Sequence, residues 1–96
     1  MTDEEKCRSM EMLARTMVTA VVNTPDAVNV AGSMCGDQGI LLTIVTAPGD
    51  VGQMIGKQGR MARSIRTVLG AACGREGLHL ELNLVESDRD REGLRR

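Results

Sequence analysis

Residues 55–60 read Ile55-Gly56-Lys57-Gln58-Gly59-Arg60 and divide two segments of helical character. Two glycines three apart permit a tight turn and leave no side chain to hold a ligand's backbone away. Downstream, residues 60–72 carry a helical repeat. With Met61 at zero and about 100° per residue, Ile65, Val68, Leu69 and Ala72 cluster around roughly 20°. Arg60, Arg63 and Arg66 fall near 260°, 200° and 140° on the same reckoning, opposite that stripe. The segment therefore predicts a helix with a core face and an arginine face. The glycine loop stands at its N-terminus, where unpaired N–H groups attract anions, and Lys57 adds a charge at the tip. Arg60 in the first turn opposes the helix dipole by typically about 0.3–1 kcal/mol, a conflict that a bound phosphate would relieve.

Two other glycine-loop motifs fail on spacing. A P-loop needs four residues between its glycines and then Lys-Ser or Lys-Thr, whereas Gly52 to Gly56 leaves three and Lys57 precedes Gln58. The loop neither follows a strand directly nor reads G-x-G-x-x-G, which excludes a dinucleotide fingerprint.

Outward from the loop, Pro48-Gly49 ends a β-rich run, Ile40–Val45, and Asp50 is placed to cap a short helix over 51–55. Gly36-Asp37-Gln38-Gly39 joins that run to an earlier strand at Val28–Ala31, predicting an antiparallel hairpin. Before it, residues 4–22 repeat Met10, Leu13, Ala14, Met17, Val18 and Val21 at helical spacing. Thr2 or Asp3 caps that helix, and Asn23-Thr24-Pro25-Asp26 stops it. After the arginine helix, Gly74-Arg75-Glu76-Gly77 turns the chain into a strictly alternating strand over 78–84. The fold class is α+β in the order α-β-β-α-α-β. Its three-stranded sheet carries the helices on one face, with the last strand joining parallel through the crossover. Residues 4–86 form one domain. The tail, 87–96, is charged with a single leucine, Leu94, and is too poor in apolar residues to order itself.

These residues and their order resemble the KH family of RNA-binding domains, in the type II arrangement found in bacteria. The family signature is an Ile-Gly-x-x-Gly loop joining two helices. Asn23-Thr24-Pro25-Asp26, Ala47-Pro48-Gly49-Asp50-Val51-Gly52 and Gly59-Arg60-Met61-Ala62-Arg63 are similar to the small stand-alone members of KhpA type. The resemblance spans roughly Met10 to Glu86. Met54 departs from the β-branched residue common there, and the charged tail is a second departure.

The resemblance implies a non-enzymatic, cytoplasmic RNA-binding protein, of the kind that serves as an RNA chaperone, without a cofactor. A short single-stranded RNA would lie in a narrow groove with the GxxG loop clamping about four nucleotides. Gly56, Lys57, Gln58 and Gly59 would approach the sugar–phosphate backbone, Lys57 and Arg60 would neutralise phosphates, and Arg63 would extend the basic path. Ile55 and Ile65 are candidates for the apolar groove floor, with core packing the competing assignment for Ile65. The edge of the last strand would offer backbone groups to base edges. The resemblance also implies partners: a homodimer, or a heterodimer with a larger Jag-type KH protein. The alternative function is therefore a protein-interaction module whose fold mainly dimerises.

Composition agrees with this reading. The chain has 96 residues, 42% hydrophobic, 26% charged and none aromatic, which excludes recognition by aromatic stacking platforms. Its net charge of −1 hides a segregation. Residues 51–80 carry Lys57, Arg60, Arg63, Arg66 and Arg75 against Glu76 alone, whereas residues 1–50 are acidic. Such a block suits a local anion site.

Cys7, Cys35 and Cys73 have neither disulfide nor zinc spacing and read as free thiols in the core. His79 has no Cys or Asp partner at catalytic spacing and reads as solvent-exposed, and no serine has a supporting His–acid framework. The acidic start Met1-Thr2-Asp3-Glu4-Glu5 is unlike a secretory signal, and no apolar run approaches the roughly 20 residues of a membrane helix. Glu4, Glu5 and Glu11 read as acids favouring their own helix dipole.

Overall fold

The structure is a computed structural model that describes residues 2–50 and 59–87. Helix α1 covers Asp3–Val21. Thr2 sets its start: the Thr2 hydroxyl accepts the Glu5 N–H at 3.2 Å, and Glu5 Oε1 accepts the Thr2 N–H at 3.1 Å. This reciprocal pair satisfies two donors that the first turn would otherwise leave unpaired. Met10, Ala14 and Val18 recur at four-residue steps and are the buried stripe of the helix. The helix stops ahead of Pro25, which begins a 3-10 turn, Pro25–Ala27.

Strands β1 (Asn29–Cys35) and β2 (Gly39–Thr46) pair antiparallel, and β3 (His79–Glu86) joins β2 in parallel. The order β1-β2-β3 puts β2 in the centre. Each strand is longer than its apolar run because ladder hydrogen bonds recruit flanking small and polar residues. Helix α2 (Arg60–Arg75) belongs to the crossover.

Along β2, Ile40, Leu42 and Ile44 alternate with half-buried residues, and all three are buried. In register with them, Leu80, Leu82 and Leu84 put the same face of β3 towards the core. Both helices meet this face, so Val18 of α1 and Leu69 of α2 share one apolar cluster with β2. The expected arrangement, a mixed three-stranded sheet with helices on one face, is observed. On the other face Ser33, Glu81 and Asn83 are exposed.

Two local expectations are corrected. Helical conformation after β2 begins at Pro48, not after Asp50. Proline suits the first helical position because its missing N–H would be unpaired there anyway. The remainder of the expected 51–55 helix lies outside the described residues.

In α2 the buried residues are Ile65, Leu69 and Cys73, whereas Val68, expected in the core stripe, is 47% exposed. The core-facing line is turned by about 60° from the sequence estimate. Helix α2 packs against α1 as well as β3, so its buried line lies between the two and takes in Cys73. Lys6 Nζ donates to the Glu76 carbonyl at 3.3 Å, joining the start of α1 to the end of α2. Helix α2 also runs past residue 72, to Arg75. It closes where Leu78 N–H donates to Cys73 O at 2.8 Å and Gly77 N–H to Gly74 O at 3.0 Å, with Gly77 left-handed.

Candidate functional site

The two helices begin in opposite ways. Helix α1 has a side-chain cap and Asp3, Glu4 and Glu5 in its first turn. Helix α2 starts at Gly59 with no side-chain cap, no acid in its first turn, and Arg60 as its first residue. Gly59 holds φ 69° and ψ 20°, left-handed values that cost an L side chain roughly 1–2 kcal/mol. Arg60 and Arg63 are exposed and three residues apart, which makes them neighbours on the helix surface. The Arg63 carbonyl accepts the Thr67 hydroxyl at 2.9 Å. The start of α2 thus combines the positive end of a helix that has no side-chain cap with two exposed guanidinium groups, a local excess of positive charge.

Of the residues singled out in the sequence, Ile55, Gly56, Lys57 and Gln58 lie outside the described residues. Gly59, Arg60 and Arg63 stand together at the start of α2. Ile65 is 2% exposed and belongs to the core cluster, so it is not a groove floor. Arg66 and Arg75 are exposed, and His79 is exposed as expected.

The sheet offers two edges of different character. At the β1 edge, Glu11 Oε2 accepts the Gly32 N–H at 2.6 Å, and Arg15 Nη2 donates to the Val28 carbonyl at 3.4 Å. Helix α1 therefore occupies backbone groups that would otherwise be open to a further strand. Gly32 permits the approach: a Cβ there would lie 3.1 Å from Leu42 Cδ2 and 3.2 Å from Glu11 Cγ.

At the β3 edge, His79 N–H donates to Gln38 O at 2.7 Å and Ser87 N–H to Thr46 O at 2.8 Å. Odd-numbered residues of β3 thus turn their backbone groups to β2. By alternation, Leu80, Leu82 and Leu84 turn theirs to the outer edge, along which no strand pairs among the described residues. That edge carries half-buried leucines.

Two residues important to this arrangement have roles that the sequence does not announce. Glu11 reads as an acid favouring its own helix dipole, yet its carboxylate serves the neighbouring strand. Asp50 reads as the cap of the following helix. Instead it is 2% exposed, with Oδ1 accepting the Asn23 N–H at 3.1 Å and Oδ2 the Thr24 N–H at 2.9 Å. Neither contact has a local signal, because each partner is more than twenty residues away in sequence. Among the described residues, no group of three His, Cys, Asp or Glu side chains is placed to hold a metal ion. No helix there is long and apolar enough to cross a membrane.

The family model for the KhpA/KhpB KH domain matches residues 11–84. The chain belongs to this family. An RNA-binding protein KhpA from Clostridium acetobutylicum is 40% identical over 76 residues, covering 79% of this chain and all of that relative. The namesake from Caldanaerobacter subterraneus subsp. tengcongensis is 45% identical over 76 residues, with the same coverage. One from Streptomyces coelicolor is 38% identical over 73 residues, covering 76% of this chain and 90% of the relative. The KH-domain match takes in both sheet edges, Asp50 and the whole start of α2, so the site described above lies inside the family unit.

Proposed function

We propose that this protein is a non-enzymatic, cytoplasmic RNA-binding protein that clamps a short single-stranded RNA, acting as an RNA chaperone without a cofactor. The domain is residues 4–86, and the charged segment 87–96 lies beyond it. The observation that carries the reading is the start of α2: no cap, no acid in its first turn, and Arg60 and Arg63 exposed. Relatives that match nearly the whole domain bear the name RNA-binding protein KhpA.

In this reading Ile55, Gly56, Lys57, Gln58 and Gly59 form the loop along which the sugar–phosphate backbone runs. Lys57, Arg60 and Arg63 neutralise phosphates. The open backbone groups of Leu80, Leu82 and Leu84 face the base edges. With no aromatic residue in the chain, bases rest on aliphatic groups, and phosphate contacts carry much of the affinity.

The test is binding of a labelled single-stranded RNA pool across a salt series, wild type against the double substitution Lys57→Asp with Gln58→Asp. Loss of a salt-sensitive signal in a folded variant of unchanged oligomeric state supports the clamp. Undiminished binding removes it.

A second reading is favoured by the open β3 edge together with the exposed Val68: self-association, or pairing with a larger Jag-type KH protein. If neither wild type nor variant binds RNA while the wild type sediments as a dimer, this reading replaces the first.

A further inference from the structure

The two outer strands of the sheet differ in what covers them. On β1, Glu11 and Arg15 of α1 take up backbone groups of Gly32 and Val28. On β3, the backbone groups of Leu80, Leu82 and Leu84 point outwards, and no strand pairs with them among the described residues. Of the two edges, β3 is therefore the one fitted to receive a further strand.

Val68 stands over the same edge. Helix α1 packs on β1, and α2 on β3. With Met61 at zero, Cys73 lies at about 120° around α2, near Cys7 of α1, whereas Val68 lies at about −20°, on the side away from α1. Val68 is 47% exposed there, above leucines that are themselves only half-buried. The bond from Leu78 N–H to Cys73 O brings the end of α2 level with the start of β3. From that level Val68 is about 8 Å back along the helix and Leu82 about 13 Å along the strand, within about one helical turn of each other.

The edge matches a second copy of itself. Antiparallel strands bond through facing pairs, so Leu82 can oppose Leu82 with Leu80 opposite Leu84. Glu81 then stands opposite Asn83 on both sides of the two-fold axis, a carboxylate facing an amide donor. Centring the axis on residue 81 would set Glu81 against Glu81, and centring it on residue 83 would set Leu80 against Glu86. Because the axis is normal to the sheet, both copies keep their helices on one face, and Val68 meets Val68. A single added peptide strand would bond the edge and leave Val68 uncovered.

We propose that two copies of this chain pair through β3, antiparallel about Leu82 with Val68 against Val68, and that this pairing excludes RNA from the same edge. The proposal deepens the self-association reading and rests on the RNA-binding reading only for the exclusion.

The experiment is sedimentation of the full chain across a concentration series, wild type beside Asn83→Asp and Asn83→Lys, with residue-resolved amide exchange on the same samples. Both substitutions change an exposed side chain on the face away from the helices. Asn83→Asp should weaken the dimer about five- to tenfold and Asn83→Lys strengthen it by as much, since each dimer holds two such pairs. The amides of Leu80, Leu82 and Leu84 should exchange more slowly as concentration rises, and those of Glu81 and Asn83, already turned to β2, should change less. A single-stranded RNA pool should convert the wild-type dimer into a complex of one chain with RNA.

A dimer indifferent to both substitutions, without protection at the three leucines, overturns the seam and leaves self-association to another surface. A monomer throughout overturns the seam and self-association together, with the RNA-binding reading intact. RNA bound by the intact β3-paired dimer overturns the exclusion. No RNA binding with the seam present removes the RNA-binding reading and leaves the pairing standing.

Discussion

The Glu11 carboxylate and the Gly32 N–H meet at 2.6 Å, which fastens the middle of α1 to the outer edge of β1. A helix side chain thereby occupies a strand donor that would otherwise be free, and a glycine makes room for it. Glu11→Ala should destabilise the domain by about 1.5–3 kcal/mol, the range for a hydrogen bond to a charged group. Gly32→Ala should also destabilise, because its Cβ would crowd Leu42 and Glu11. Since both changes act on one contact, urea unfolding of the double variant should show a loss smaller than the sum. Strict additivity would mean that a Cβ at position 32 leaves the Glu11 contact undisturbed, and an unchanged stability in Glu11→Ala alone would mean that the contact contributes nothing.

Arg60 should separate binding from stability. As a cation in the first turn of α2 it opposes the helix dipole, so Arg60→Ala should leave the Tm unchanged or slightly raised. The same variant should bind single-stranded RNA more weakly, with a salt slope lower by about one. A fall in Tm together with unchanged binding would place Arg60 in the fold and outside the site.

Hydrogen bonds from the Thr2 backbone and then its hydroxyl hold the Glu5 carboxyl below the ordinary glutamate value. The stabilisation is therefore fully present above the unfolded-state value, about pH 4.3. It is lost as pH falls through the lower folded-state value. The stability difference between wild type and Glu5→Gln should be constant near neutrality and shrink on acidification within that window. A difference that grows there would contradict the capping box.

Burial, and secondarily the nearby Cys7, pushes the Cys73 thiol above the ordinary cysteine range, and burial followed by Glu11 and Asp3 raises Cys7. Cys35 is exposed. Alkylation by iodoacetamide near neutral pH, followed by mass spectrometry, should label Cys35 first, Cys7 more slowly and Cys73 only on unfolding. Cys73 labelling as fast as Cys35 would show that α2 does not pack as described.

Much of the architecture was legible because its signals are local. The alternation of Leu80, Leu82 and Leu84, the repeat of Met10, Ala14 and Val18, and the glycines around the hairpin each report the conformation of their own segment. The long crossover between β2 and β3 made the parallel pairing legible as well. What escaped depended on partners distant in sequence. Val68 has the right angular position for a core residue if α2 faces only the sheet, but α2 packs against α1 as well, and Cys73 takes the inner place. Cys35, likewise, is a thiol that strand alternation places outside, not in the core. Glu11 and Asp50 both look like ordinary helix-dipole or capping acids, and only the fold brings their backbone donors to them. The start of α2 was legible because Gly59, Arg60 and Arg63 are close in sequence as well as in space.

The placement of β2 at the centre of the sheet has a consequence for synthesis on the ribosome. Its sequence, Gly39-Ile40-Leu41-Leu42-Thr43-Ile44-Val45-Thr46, is β-prone and lacks charge and proline, the composition of a segment that aggregates when exposed. The β1 hairpin can cover one side as soon as both strands emerge. The other side waits for β3, after residues 47–78 have been made. Until then the nascent chain carries an open, uncharged strand edge, so the last strand acts as the late guard of the most adhesive one.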